Sequence, residues 1–390
     1  MKHVRFGIIG CGGMGAGHAR LIVQAQARDF SLAAVADINA ETAQRVGKEF
    51  NVPWFADGCK LVDSGLVDAV IIATPHYFHP PLAICAARQG LHVLTEKPMA
   101  VSMGPARAMV TQCKRHKVAL GVMFQQRNRP EMRKMKQLVA GGALGEIFRA
   151  QMICSSWYRA QSYYDSGSWR GTWDGEGGGI LINQAPHSLD LFQWIAGMPR
   201  AVRATADTRH HKIEVENTAN AVLDYGDGRT GYIYATTAEA PGLEQLMVCG
   251  DKGTLVAEGG KLRLAKLAMP LKKHLLSTPH GFQAPDFQWQ DVELPATEGK
   301  HIVITRAFVA HILKGKPLAA SGAEGLNELE LSNAVYISAY RNKTVELPVD
   351  AREMEKVLDQ LVKARSTGRG GNLRAQAGKD LKRLLGKYPA

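Results

Sequence analysis

The glycine-rich segment near the start of the chain constrains the fold more than any other feature. Gly10-Cys-Gly-Gly-Met-Gly15 fits the pattern GxGxxG, follows the apolar stretch from Val4 to Ile9 and precedes a helical pattern. In such a unit the first glycine permits a tight turn, the second lets the backbone approach a pyrophosphate, and the third lets the helix pack on the strand. Because the new helix offers free N–H groups to a phosphate, the context favours a dinucleotide site over a ligand-free glycine turn.

An acidic residue, Asp37, ends the second apolar stretch. A carboxylate at this position accepts hydrogen bonds from the adenosine ribose hydroxyls and repels a 2′-phosphate. The three residues after it include no arginine. The sequence therefore predicts NAD as the cofactor, bound by the loop and this carboxylate: Gly10, Cys11, Gly12, Gly13, Met14, Gly15 and Asp37.

The periodicity of apolar residues divides the chain in two. Up to residue 124, short apolar strands alternate with helical patterns, which is typical of a parallel, doubly wound sheet. From residue 146, strands of period two predominate, which favours an antiparallel sheet. We predict an α/β protein with a Rossmann domain over 1–124, a substrate-binding and oligomerisation domain with a large open, mostly antiparallel sheet over 125–350, and a basic C-terminal helix or tail over 351–390.

Charge and composition restrict the partners. The net charge is +12, and residues 361–390 hold eight basic residues against one acid. Such an arm is usually solvated or packs on a neighbouring subunit, so nucleic-acid binding is not favoured. No apolar stretch is long enough to span a membrane, the first residues lack a signal-peptide pattern, and the six cysteines form no CxxC pair. We expect a cytoplasmic protein with reduced thiols and no metal site.

Glu96-Lys97-Pro98 follows the carboxyl end of a predicted parallel strand, where open α/β sheets place their active sites. A lysine there can donate a hydrogen bond to a substrate hydroxyl or, if burial lowers its pKa, take part in proton transfer. A surface lysine in a turn explains this segment equally well when it is taken alone. The proline restricts the Lys97 backbone and permits a cis bond, so the lysine is aimed by the main chain.

Asn183 and His187 lie one helical turn apart in a segment that follows three glycines. If the helix includes Asn183, both side chains share one face, although Pro186 requires the helix to start near this point. A histidine so held could take a proton from a hydroxyl at neutral pH. A core histidine hydrogen-bonded to Asn183 or Asp190 is the better explanation of this segment alone.

Together with Thr74-Pro75 and His79, these motifs resemble the glucose-fructose oxidoreductase and inositol dehydrogenase (Gfo/Idh/MocA) family. The stretches ATPHYFHPPLAICAARQGLHVLTEKPMA and EGGGILINQAPHSLDLFQWIAG carry the resemblance, which covers residues 3–350. It implies a Rossmann domain, an open sheet that often forms the oligomer interface, a cis Lys97-Pro98 bond, and Lys97 and His187 at the reacting carbon. It also implies further contacts: Thr74, Pro75, His79, Glu96, Lys97, Trp169 and Arg170 at the cofactor, and Arg127 near the substrate.

The chain departs from the inositol dehydrogenase-like members at one position, where they have aspartate and it has Asn183. An amide cannot take up a proton from His187, although it can orient the ring or bind substrate hydroxyls. The pair Asn183-Gln184 resembles a branch of the family that acts on sugars and glycosides, so free inositol is less expected as the substrate. Lys97, His187 and Asn183 are the predicted catalytic residues.

Six aromatic residues are concentrated between Trp157 and Trp173. Aromatic rings stack on the apolar faces of sugars, so this segment is predicted to bind the substrate, unless it packs under the sheet or against another subunit. The predicted substrate contacts are Arg127, Trp157, Tyr158, Tyr163, Asn183 and His187. The run Arg209-His210-His211 lacks metal-site spacing and is interpreted as a solvated turn.

The motifs together favour an NAD-dependent dehydrogenase that transfers a hydride between the nicotinamide and a ring carbon of a sugar, glycoside or cyclic polyol. One alternative is a glycosidase or lyase that oxidises the sugar transiently and then returns the hydride. A second alternative is a dinucleotide-binding regulator or scaffold whose tail engages nucleic acid. We expect a homo-oligomer, dimer or tetramer, formed through residues 202–258, with a carbohydrate as its small-molecule partner and no membrane contact.

Overall fold

The computed structural model describes residues 2–296 and 299–386. Its first sheet has six parallel strands: β1 (Val4–Ile9), β2 (Phe30–Ala36), β3 (Trp54–Phe55), β4 (Ala69–Ile72), β5 (His92–Thr95) and β6 (Leu120–Val122). They lie in the order β3-β2-β1-β4-β5-β6. This order reverses direction between β1 and β4, so the crevice for a dinucleotide lies at the carboxyl ends of these two strands. The predicted Rossmann fold is confirmed.

Five helices connect these strands: α1 (Gly13–Gln24), α2 (Ala40–Phe50), α3 (Gly58–Val62), α4 (His79–Arg88) and α5 (Met103–Arg115). The first of them begins inside the glycine segment, with Gly12 as its N-cap. The amides of the first helical turn therefore lie directly after β1, at the predicted phosphate site.

The second sheet is mixed and mostly antiparallel, as predicted. Its strands are β7 (Ile147–Cys154), β8 (Ala201–Asp207), β9 (Thr218–Asp224), β10 (Thr230–Thr236), β11 (Glu244–Gly250), β12 (Gly253–Glu258), β13 (Lys261–Leu267), β14 (Phe287–Asp291) and β15 (Val345–Glu346). They lie in the order β14-β13-β12-β11-β7-β10-β9-β8-β15. The pair β7 and β10 is parallel, because the chain passes through a long crossover that carries the second half of the predicted site.

Eight α-helices follow β6 in the described residues: α6 (Pro130–Ala140), α7 (Gln161–Asp165), α8 (Pro186–Ala196), α9 (Leu271–Ser277), α10 (His301–Lys314), α11 (Gly322–Arg341), α12 (Ala351–Arg365) and α13 (Leu373–Leu385). Helix α11 packs against β8, α8 and α5, so it joins the two sheets. Helix α10 returns to the first sheet, where Ile302 and Phe308 pack with Phe6 and Leu94.

The basic C-terminal segment folds back on the chain. Met354 and Leu358 of α12 are buried, and Arg374 forms ion pairs with Glu355 and Asp359 at 2.8 and 2.7 Å. Helix α13 then packs on α4. The expectation that this arm lies free or wraps a neighbour is therefore wrong for residues 361–386. Burial of one apolar face of α12 outweighs the tendency of a charged segment to remain solvated.

The cysteines differ from the prediction at one pair. Cys59 in α3 and Cys85 in α4 form a disulfide, with their Cα atoms 6.3 Å apart. The prediction of six reduced thiols is wrong here, because the packing of α3 on α4 brings together residues whose spacing carries no signal. Cys11, Cys113, Cys154 and Cys249 are buried and free. Within the two described ranges, no helix has the length and apolar character that a bilayer crossing needs.

Candidate active site

The β1–α1 loop has the geometry of a phosphate cradle. Gly10 adopts φ +94°, and a Cβ there would lie 2.6 Å from the Ala73 carbonyl oxygen. A Cβ on Gly15 would lie 1.7 Å from the Gly10 carbonyl oxygen, whereas one on Gly12 would meet no atom within 4 Å. No side chain among the described residues caps the first amides of α1. The loop thus leaves open space and free N–H donors where a pyrophosphate would lie.

Asp37 lies beside this loop at the end of β2. Its Oδ2 accepts a hydrogen bond from the Cys11 amide at 2.7 Å, and its Oδ1 accepts one from the Asn39 amide at 2.9 Å. The Cys11 thiol faces the interior, where burial raises its pKa to about 12. The Cys11 amide is therefore already bonded to Asp37, and its sulfur does not face the cofactor site.

Residues after β4 form the opposite wall of the crevice. Thr74 Oγ1 is buried and has no hydrogen-bond partner among the described residues, so a bound polar group can satisfy it. His79 differs from its predicted role as a cofactor contact. Its two ring nitrogens lie 2.8 Å from the carbonyl oxygens of Thr74 and Pro98, and the side chain is fully buried. The ring links the two loops and leaves no nitrogen for a ligand.

Glu96 also has a protein partner. Its Oε1 lies 2.7 Å from His18 Nε2, and its Oε2 accepts a hydrogen bond from the Lys97 amide at 3.2 Å. Burial alone would raise the pKa of Glu96, but the hydrogen bond and charge of His18 outweigh it and lower the pKa to about 2. Glu96 therefore orients the Lys97 backbone through this hydrogen bond. The Lys97-Pro98 bond is cis, as the resemblance implied.

Lys97 extends from this loop to the second half of the site. Its Nζ donates a hydrogen bond to the Asn183 carbonyl oxygen at 2.6 Å. Burial lowers the pKa of Lys97 and is opposed by the charges of Glu96 and Glu328. A lysine in this environment gives up its proton more readily than one in water.

His187 lies in the first turn of α8 and is buried. Its Nε2 is 3.2 Å from the Gln125 amide nitrogen, and its Nδ1 has no partner among the described residues. Burial, followed by the charge of Lys97, lowers the pKa of His187 to about 3. The ring is therefore neutral at physiological pH, with one nitrogen able to accept a proton.

Asn183 does not contact His187 as the sequence spacing suggests. Helix α8 begins at Pro186, so Asn183 lies in the preceding turn and its side chain points elsewhere. Its Nδ2 donates hydrogen bonds to Glu176 Oε1 and, at 3.1 Å, to Tyr163 Oη. The predicted pairing on one helix face is wrong, because a proline near a helix start prevents the helix from extending backwards.

The aromatic segment is held together by arginines. The Arg159 guanidinium lies 5.5 Å from the Trp157 ring centroid and 4.9 Å from that of Tyr163. Arg170 lies 4.6 Å from the ring centroids of both Tyr163 and Trp169. These contacts stabilise a wall of ring faces and positive charge next to Asn183.

Two predicted substrate contacts on this side differ in exposure. Tyr158 is 56% exposed and its ring remains accessible. Arg127 is 3% exposed, and its donors bind both oxygens of Asp190 at 2.7 Å and Glu324 at 2.9 Å. Because a buried arginine with satisfied donors cannot also bind a sugar, the predicted substrate contact at Arg127 is wrong. It anchors α8 to α11 instead.

Three polar residues of the site were missed from the sequence. Glu176, Gln125 and Glu328 face Asn183, His187 and Lys97 respectively. Both carboxyl oxygens of Glu328 are buried without a partner in the described chain, and burial raises its pKa well above the usual range. The glycine run after Glu176 was a usable signal, whereas Glu328 reaches the site from α11 and has none. Nowhere in the described residues do three or more His, Cys, Asp or Glu side chains form a metal-binding group.

Comparison with known proteins yields matches over both sheets. A family model described as "Oxidoreductase family, NAD-binding Rossmann fold" matches residues 4–124, and one described as "GFO/IDH/MocA C-terminal domain" matches residues 132–256. The rhizopine catabolism protein MocA of Rhizobium meliloti is 30% identical over 62% of this chain and 74% of MocA. The D-apiose dehydrogenase of Paraburkholderia graminis is 25% identical over 89% of this chain and 90% of its own.

A solved structure is similar over the same extent. The WlbA dehydrogenase from Bordetella pertussis, in complex with NADH and UDP-GlcNAcA, is 29% identical, with a TM-score of 0.76 over 89% of this chain and 100% of that chain. The similarity therefore covers both the Rossmann sheet and the second sheet.

Proposed function

This chain belongs to the Gfo/Idh/MocA family of oxidoreductases, whose N-terminal domain binds NAD, and from that premise we propose an NAD-dependent dehydrogenase of sugars, glycosides or cyclic polyols. The observation that carries this proposal is the convergence of Lys97 and His187 beside Asn183 at the carboxyl edge of the parallel sheet. This edge is where open α/β sheets bind their ligands.

We propose the cofactor site because the space beside the β1–α1 loop and the donors around it fit a dinucleotide. The open approach at Gly12 suits the phosphates. Among the described residues the α1 amides are uncapped and the Thr74 hydroxyl is unpartnered, which suits the phosphates and nearby polar groups. Asp37 would hold the adenosine ribose, with Pro75, Trp169 and Arg170 toward the nicotinamide. Bound NAD would supply the hydride acceptor at its nicotinamide ring.

The proton chemistry is assigned to Lys97 and His187. Both would hydrogen-bond the hydroxyl on the carbon that loses the hydride. A base with a pKa near the operating pH transfers protons most effectively. Since burial lowers the pKa of His187 to about 3 and brings that of Lys97 down from 10.5, we assign the proton chiefly to Lys97 and the orientation of the oxygen to His187.

The substrate class is proposed from the lining of the site. The exposed ring of Tyr158 suits the apolar face of a sugar, and Asn183 suits its hydroxyls. Trp157 and Tyr163 would line the same side, with Arg159 against their rings. Relatives whose names state a sugar activity, such as D-apiose dehydrogenase, support this class. The WlbA complex with UDP-GlcNAcA supports it as well.

The domain division and assembly are also proposals. We divide the chain into the Rossmann domain over 1–124, the second domain over 125–350 and the C-terminal segment over 351–390, with α10 packing back on the first domain. Val222 is exposed and Tyr232 is only partly buried, and the face of the second sheet that carries them is our proposed oligomer interface. A cytoplasmic location stays a prediction.

A substrate panel tests the proposed function directly. Sugars, glycosides and inositols are incubated with NAD or NADP, and the absorbance of the reduced cofactor is followed. We expect NADH to accumulate with at least one of them. No reduction by any panel member, together with a cofactor that stays bound through gel filtration, would instead favour the glycosidase or lyase reaction that returns its hydride.

A further inference from the structure

The side-chain amide of Asn183 has a defined orientation. Its Nδ2 donates to Glu176 Oε1 and to Tyr163 Oη. A carboxylate accepts hydrogen bonds and cannot donate them. The amide must therefore turn its NH₂ group toward Glu176 and its oxygen away from it.

The oxygen of that amide differs from the nitrogen in its contacts. Asn183 Oδ1 has no hydrogen-bond partner among the residues that the structure describes, and the residue is partly exposed. The main-chain carbonyl of Asn183 accepts the hydrogen bond from Lys97 Nζ. An unpartnered acceptor thus lies next to the lysine proposed to take the substrate proton.

Glu176 is itself firmly held. It is 1% exposed, and its Oε2 accepts a hydrogen bond from the Gly171 amide at 2.6 Å. The positive groups near its carboxyl are Arg170 and Lys97, and Tyr164 and His76 are titratable neighbours, His76 through the Glu176 carbonyl oxygen at 2.9 Å. Burial raises the pKa of Glu176 to about 7 against the pull of these partners, so the carboxylate is the prevailing form in mildly alkaline solution.

We propose that Glu176 is a positioning residue that turns Asn183 Oδ1 toward the substrate, where it accepts a hydrogen bond from a second hydroxyl beside the one that is oxidised. This inference rests on the proposed function and narrows its substrate class to compounds with a vicinal diol. A site that presents a fixed acceptor rejects a deoxy analogue, because the acceptor is then left unpaired once the bound sugar covers it.

Glu176→Gln is the first test. The Gly171 amide still needs an acceptor, so the oxygen of the new side chain faces Gly171 and its NH₂ faces Asn183. The Asn183 amide then has to turn, and its NH₂ points at the substrate. We expect KM for the panel sugar with the highest rate to rise about tenfold or more, with a much smaller change in kcat and an unchanged Kd for NAD.

The reciprocal change supplies a rescue that a merely structural role would not produce. Asn183→Asp alone sets two carboxylates against each other at pH 8, so it should also raise KM. In the double variant Glu176→Gln/Asn183→Asp, the donor and acceptor have exchanged places and an acceptor again faces the substrate. We expect its KM to return to within a few-fold of the wild-type value. Glu214→Gln is the matched control, since Glu214 is buried and accepts from a backbone amide at Trp173.

Urea unfolding at pH 8 of the wild type, the two single variants and the double variant tests the pairing without any substrate. Each single variant should lose stability, and the double variant should recover most of the loss. If the wild-type enzyme oxidises no panel sugar, this cycle still reports on the orientation of Asn183 while the proposed function fails. Additive losses of stability, or an unchanged KM in Glu176→Gln, would overturn the inference. A folded double variant beside an unfolded single variant would support it.

Discussion

At the scale of single residues, burial separates the roles of the two groups at the proposed reacting carbon. His187 and Lys97 share one polar cluster, and desolvation lowers the pKa of both. The effect on a histidine is to make it neutral and weakly basic, whereas the effect on a lysine is to bring its pKa toward neutrality. The lysine is thereby the stronger proton acceptor once it has lost its proton, and the histidine a hydrogen-bonding partner.

The first prediction concerns these two side chains. Lys97→Ala and His187→Ala should each lower kcat by roughly 10² to 10⁴, because each removes a group that handles the hydroxyl proton. The loss should be larger for Lys97→Ala. Steady-state kinetics give kcat, and fluorescence titration with NADH should show a Kd within a few-fold of the wild type. A larger loss in His187→Ala would instead assign the main proton transfer to the histidine.

The second prediction concerns cofactor choice. Asp37→Ala removes the carboxylate that would hold the ribose hydroxyls and repel a 2′-phosphate, so the preference for NAD over NADP should decrease by about tenfold or more. Calorimetric titration of both cofactors measures it. Asp57→Ala is the control, because Asp57 also accepts from backbone amides in this domain but caps α3. Wild-type affinity for NADP equal to that for NAD would disprove the assignment.

At the scale of elements, a helix or strand could be predicted from the sequence where the cause of its conformation lies in its own residues. Strands β8–β12 were predictable from their alternation, since one face of each is buried, and α10 from its apolar face. The short edge strand β15 has no such pattern, because its place depends on pairing with β8. The pairing of Asn183 with His187 fails for a local reason, because Pro186 starts the helix after Asn183. Glu328 and Gln125, in contrast, reach the site through tertiary packing that no local pattern encodes.

The glycine turn before α8 shows how a distant element fixes the site. Glu216 lies before β9 and accepts hydrogen bonds from the amides of Gly179 and Leu181, each at about 3.1 Å, and from Tyr336 Oη at 2.8 Å. The turn that carries Asn183 is therefore tied to α11 through one buried carboxyl. Nothing in the spacing of the glycine run indicates this partner.

The third prediction follows from this carboxyl. Burial raises the pKa of Glu216 from 4.5 to about 7, so the folded chain binds a proton more tightly than the unfolded chain. The stability that this proton contributes is fully present below pH 4.5 and is lost as pH rises through 7, at up to about 1.4 kcal/mol per pH unit. Glu216→Gln does not titrate, so the free energy of unfolding of the variant relative to wild type should rise between pH 5 and pH 8. Urea titrations across this range measure both free energies of unfolding. If Glu216 had an ordinary pKa, the curves of wild type and variant against pH would be parallel.

At the scale of the whole molecule, the two sheets use their faces differently. Helices cover both faces of the first sheet, as its βα connections require. The second sheet has α8 and α11 on one face, where Leu223, Ile233 and Leu246 are buried. The opposite face carries the alternate residues of the same strands. Val222, Tyr232 and Met247 lie in one row across it through their pairing with each other and with Gln151.

The last prediction is the oligomeric state that this open face implies. Val222 is 56% exposed, and its neighbours in the row are only partly buried in the single chain. An apolar row on a broad sheet face is typical of an interface between identical subunits, so we expect at least a dimer at micromolar concentration by light scattering. Val222→Lys puts a charge at the β9 end of that row, beside Arg203, and should shift the mass toward the monomer, because an unpaired charge buried in an interface costs several kcal/mol. Val23→Lys, on the exposed side of α1, is the matched control and should leave the mass unchanged.

If Val222→Lys keeps the wild-type mass while remaining folded by circular dichroism, the interface lies elsewhere. A monomeric wild type would show that the sheet face is compatible with solvent, since Arg149 on β7, Arg203 on β8 and Arg263 on β13 add charge to this face.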